Sequence, residues 1–149
     1  MTNPQKSAVK VLNELVAICK DGKMRFKTAA EGFKDPELRA FCLQLSKQRA
    51  AFINELQEEV RQLGGDPDST GTILGSLHRN WSTIKSDVTD GDDDSILSEC
   101  ERGEEEAKET FEKALNAYTP ANITGIIQRQ YLQIKAAHER FRSMQKVVH

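Results

Sequence analysis

Residues 7–33 read SAVKVLNELVAICKDGKMRFKTAAEGF, and Leu12, Leu15, Cys19, Gly22, Phe26, Ala29 and Phe33 recur in them at alternating steps of three and four. That rhythm draws one apolar stripe down a long helix, the seam of a bundle. Lys20, Lys23, Arg25 and Lys27 fall off the stripe and read as a solvated face. Gly22 costs about 1 kcal/mol against alanine in a helix interior, so a neighbouring helix or a bulky side chain is expected close to it.

Outward from this stretch the pattern repeats. Asp35-Pro36-Glu37 supplies an N-cap, a proline at the first helical position and an acid near the positive end of the dipole. A second helix then carries Leu38, Cys42, Leu45, Arg49, Phe52, Leu56, Val60 and Leu63 on its seam and stops at Gly64-Gly65. So short a connection makes the first two helices antiparallel neighbours. Residues 66–92 break the rhythm, with a short amphipathic piece marked by Ile73, Leu74, Leu77, Trp81, Ile84 and Val88. They are expected to form a crossover with a short extra helix that brings the third helix to the end where the first begins. Helix three shows Ile96, Cys100, Gly103, Ala107, Phe111, Ala114 and Tyr118. Helix four follows Thr119-Pro120 with Ile123, Ile127, Tyr131, Ile134, His138, Phe141, Met144 and Val148.

At 149 residues, residues 1–149 fit one domain with a continuous core. A formal charge of −2 gives no basic field for nucleic acid. No apolar run approaches the roughly 18 residues that span a membrane. The first residues lack the apolar core of a signal peptide, so the cytoplasm is the expected compartment. Cys19, Cys42 and Cys100 form no CxxC and read as small buried apolar residues.

The halves resemble each other. Cys19-Lys-Asp-Gly22 matches Cys100-Glu-Arg-Gly103, and Arg49-Ala-Ala-Phe52 matches Lys135-Ala-Ala-His138. Two helix pairs with corresponding landmarks imply a pseudo-twofold four-helix bundle. The chain also resembles a family of bacterial four-helix-bundle proteins grouped as a domain of unknown function with ferritin-like architecture. The likeness rests on Leu12-Asn-Glu-Leu15, Ile18-Cys-Lys-Asp-Gly22, Asp35-Pro-Glu-Leu38, Glu55 to Val60 running into Leu63-Gly-Gly65, Leu77-His-Arg-Asn-Trp81, Glu101-Arg-Gly-Glu104 and Lys135-Ala-Ala-His138. It is more distantly similar to rubrerythrin and bacterioferritin. The resemblance implies an all-α, ferritin-like four-helix bundle and no particular reaction.

A di-iron bundle takes one Glu from each of two helices and a Glu-x-x-His pair from each of the other two. Here those pairs read Arg49-x-x-Phe52 and Lys135-x-x-His138. A cation at each carboxylate position repels iron, so the di-iron site is expected to be lost and no cofactor is expected. A buried guanidinium must find acids. The expected charge-replacement cluster is Arg49 and Lys135 with Asp21 and Glu104, with Glu14 and Glu101 as further candidates. The preferred reading is a non-enzymatic structural or interaction protein. The alternative is a metal-binding, iron- or peroxide-handling protein with an altered site at Glu101, Glu104 and His138. A phosphotransfer histidine fits poorly, because neither His138 nor His78 is followed by the lysine and glycine such domains show. The acids of helix three, from Glu104 to Glu112, read as solvated surface, with docking of a basic partner as the alternative. A homodimer is a secondary expectation.

Overall fold

The computed structural model describes residues 3–71, 73, 75 and 92–148. They form four helices, α1 (Asn3–Gly32), α2 (Pro36–Gln62), α3 (Asp93–Asn116) and α4 (Ala121–Val148). α1 packs on α2 and on α3, and α3 packs on α4, so the described part is all-α with its helices packed in pairs. Among the described residues no helix is long and apolar enough to cross a membrane.

Local chemistry sets the helix ends. The Asp35 side chain accepts from the Glu37 N–H at 2.8 Å and Pro36 opens α2. At the other end Gly64 takes φ 82, and the N–H groups of Gly64 and Gly65 donate to the carbonyls of Arg61 and Val60. Glycine is favoured there because the left-handed conformation crowds any Cβ. A Cβ on Gly65 would lie 2.7 Å from a Val9 methyl, so the end of α2 rests against the beginning of α1.

The start of α3 overturns the expected direction of the crossover. The Asp93 carboxylate, in the first turn of α3, accepts from the backbone N–H groups of Lys34 and Asp35 at 2.9 and 3.1 Å. α3 therefore starts where α1 ends, and the two run antiparallel. Because α2 finishes beside the start of α1, the end of α2 and the start of α3 lie at opposite ends of the molecule. The extra helix expected over 73–88 falls almost wholly outside the described residues.

Among the described residues the apolar seam positions are buried or half-buried as their periodicity predicts, except for Tyr118 at a helix end. Tyr118 is 81 % exposed, because α3 stops at Asn116 and the Ala117 backbone turns extended. Two apolar clusters result. One gathers Leu12, Leu15, Phe52, Leu56, Phe111 and Ile127 with their neighbours, and the other gathers Phe26, Phe33, Leu45, Ile96, Leu97 and Phe141. Burying each such side chain contributes about 1.5–3 kcal/mol. α2 and α4 meet through long side chains instead. Gln48 donates to Gln133 at 3.0 Å, Gln130 to Glu55 at 2.8 Å, and the Phe41 and Phe141 rings lie 5.1 Å apart.

Candidate functional site

A polar layer separates the two clusters. On α1 the apolar members run to Cys19 and resume at Phe26, and Asp21, Gly22 and Arg25 lie between them. On α2 the gap holds Arg49, and on α3 it holds Gly103 and Glu104. Three helices thus bring their charged residues to one level of the molecule.

Arg49 and Glu104 form its centre, each 1 % exposed. Nη1 and Nη2 of the guanidinium donate to the two carboxylate oxygens at 2.8 and 2.6 Å. This fork-to-fork geometry is the strongest arrangement for such a pair. The guanidinium also lies 5.2 and 5.8 Å from the ring centroids of Phe26 and Phe52. Gly22 explains its place on α1, since the bulky neighbour expected there is the Arg49 side chain, 3.5 Å from where a Cβ would be. Arg49 Nε has no partner among the described residues. Burial pushes the Glu104 carboxyl up to about 7, although Arg49 and Arg25 both pull it down.

Arg25 contradicts the solvated face read from the sequence. It is 5 % exposed, and its Nε and Nη2 donate to Asp21 at 3.2 and 3.0 Å. Its Nη1 lies 3.8 Å from Glu99. Gly103 makes the space, because a Cβ there would stand 2.7 Å from Arg25 Cδ. The hint was present in the sequence as a second mid-helix glycine needing a large neighbour, and as Asp21 four residues before Arg25.

Lys135 stands apart from this layer. It is exposed, and Ile134 is the buried residue at that turn of α4. Asp21 meets Arg25 rather than Lys135. Glu101, Glu104 and His138 are also divided. Glu104 is held by Arg49, whereas His138, 3 % exposed, places Nε2 2.7 Å from a Glu105 carboxylate oxygen and 3.7 Å from one of Glu101. Glu105, absent from the expected set, sits one turn beyond Glu101 on the same face. An open groove of about 390 Å³ beside it is lined by Glu101, Arg102, Glu105, His138 and Arg142. Among the described residues, no three His, Cys, Asp or Glu side chains gather as a group suited to a metal ion.

The cysteines are free and buried. Burial pushes the Cys19 thiol up to about 12. A hydrogen bond with Cys42, together with burial, holds the Cys100 thiol well above the usual range. Such thiols are poor nucleophiles.

No curated protein matches the chain in sequence. A family model described as a domain of unknown function, DUF2383, matches residues 7–117, most of the chain and as far as the C-cap of α3. Arg25, Arg49 and Glu104 lie within the match, and Lys135 and His138 beyond it. The chain belongs to the DUF2383 family.

Proposed function

We propose that the chain is a ferritin-like bundle in which an internal ion pair stands in place of a di-iron centre, and that it serves as a non-enzymatic structural or interaction protein in the cytoplasm. The observation that carries the reading is the two-bond pairing of Arg49 with Glu104, both 1 % exposed, at the middle of the helices. A di-iron bundle needs four carboxylates and two histidines converging on that level. Here one carboxylate is taken by Arg49, another by Arg25, and His138 faces Glu105. A guanidinium cannot lose its charge or ligate a metal. The buried acids and bases of this layer therefore neutralise one another, which supports the reading of a lost di-iron centre. Three unpaired thiols suit a reducing compartment.

Elemental analysis of the untagged protein, purified without chelator, tests this before and after anaerobic addition of Fe(II). The expected result is substoichiometric metal in both samples. One or two tightly held equivalents, lost on His138→Ala, would sink the reading and favour an iron- or peroxide-handling protein. Gel filtration at two ionic strengths would show whether a homodimer forms.

A further inference from the structure

We propose that Arg25 and Arg49 are the two fixed cations of one closed centre, each seated against the glycine of a Cys-x-x-Gly turn, with Glu104 as the carboxylate between them. The proposal rests on the charge-replacement reading above and adds a second cation, on α1, that the matching of the two halves assigned to α4.

The seats are built alike. Gly22 of Cys19-Lys-Asp-Gly22 receives Arg49, and Gly103 of Cys100-Glu-Arg-Gly103 receives Arg25. Each seat uses a helix-interior glycine, which costs about 1 kcal/mol against alanine and here makes room for a guanidinium-bearing side chain. The two seats lie on neighbouring helices, and Glu104 follows Gly103 directly on α3. Its carboxylate is bonded to one guanidinium, and both guanidiniums draw its pKa down against the larger upward push of burial. The other ionisable groups around the two cations are Asp21 and Cys19 on α1, Cys42 on α2, and Glu99 and Cys100 on α3; Asp21 is bonded to Arg25 and Glu99 lies 3.8 Å from it. An ordinary i,i+4 pair would belong on a wet surface, where it contributes little. Arg25 and Asp21 are 5 % and 2 % exposed.

Two measurements test the proposal. The first follows the Glu104 side-chain carboxyl by ¹³C NMR through a pH titration of wild type and Arg25→Met. Arg25 bonds to Asp21 and not to Glu104, so a local pair on α1 would leave the midpoint unchanged, and that result overturns the proposal. A shared centre raises it. The second compares thermal melts of Arg49→Ala with and without millimolar methylguanidinium. Loss of the pair lowers Tm by on the order of 10 °C, and methylguanidinium, filling the vacated seat, restores much of that. Equal urea or sodium chloride does not. A variant that gains no more than wild type does, or stays unfolded with methylguanidinium present, argues against the seat. The metal content of wild type decides the earlier reading independently of either result.

Discussion

Arg49 and Lys135 occupy matching places in the sequence, yet one is sealed in the interior and the other stands in water. The burial patterns explain the difference. α2 buries Cys42, Leu45, Arg49, Phe52, Ile53 and Leu56, and α4 buries Ile127, Gln130, Ile134, Ala137, His138 and Phe141 at the same spacing. In space, therefore, Arg49 corresponds to Ile134, not Lys135. A slip of one residue turns a helical side chain by about 100°, enough to move it from core to solvent. Likeness of residue types located the turn of the helix, but the facing came from the apolar spacing.

The largest effect expected from breaking this contrast belongs to the buried pair. Glu104→Leu strands a guanidinium that cannot discharge, so unfolding free energy should fall by about 3–5 kcal/mol. Arg49→Met is milder, on the order of 1–3 kcal/mol, because the abandoned carboxyl can take up a proton. In that variant the Glu104 midpoint should rise further above 7, since the lowering influence of Arg49 is gone. Urea denaturation and a carboxyl titration check both expectations. Equal losses in the two variants would mean that the carboxyl does not relieve itself by protonation.

The same pair should leave a signature in pH. Burial pushes the Glu104 carboxyl up to about 7 in the folded chain, against 4.5 for an ordinary glutamate. Between those values the folded state binds more protons than the unfolded one, so its contribution to stability falls as pH rises through the window and levels off above it. Glu104→Gln should remove that slope. Urea midpoints measured from pH 4.5 to 8 decide the matter, and an unchanged slope in the variant would assign the dependence to other groups.

The four helices, the Asp35 cap of α2 and the α1–α3 correspondence were legible in the sequence. Leu15, Val16 and Cys19 match Ile96, Leu97 and Cys100 in both residue order and burial. What stayed hidden was where charge goes when a glycine makes room for it. Arg25 sits among Lys20, Lys23 and Lys27 and shares their composition, and only Gly103, far along the chain, makes it an interior residue. Periodicity reports on one helix at a time, whereas this burial is decided by two. The direction of α3 was misread for a related reason, because it depends on Asp93 reaching the backbone of Lys34 and Asp35.

The two glycine seats differ in tightness, and that can be measured. A Cβ at Gly103 would fall 2.7 Å from Arg25 Cδ, the middle of a side chain held by Asp21, so Gly103→Ala should cost about 1–3 kcal/mol. At Gly22 the nearest atom is Arg49 Nη1 at 3.5 Å, an ordinary contact. Gly22→Ala should then be neutral or stabilising by up to about 1 kcal/mol through helix propensity. A cost at Gly22 equal to that at Gly103 would mean that the Arg49 seat is as tight as its counterpart.

The smallest effect should come from Lys135. An exposed lysine on α4 contributes mainly solvation and surface charge, so Lys135→Met should change stability by no more than about 0.5 kcal/mol. The comparison is sharp because Arg49→Met makes the same kind of change at the position the sequence pairs with it. If Lys135→Met left the Glu104 titration untouched while Arg25→Met moved it, the second cation would be assigned to α1 by measurement. If Lys135→Met moved it instead, the one-residue offset between α2 and α4 would lose its consequence for charge, and the matching read from residue types would be the better guide.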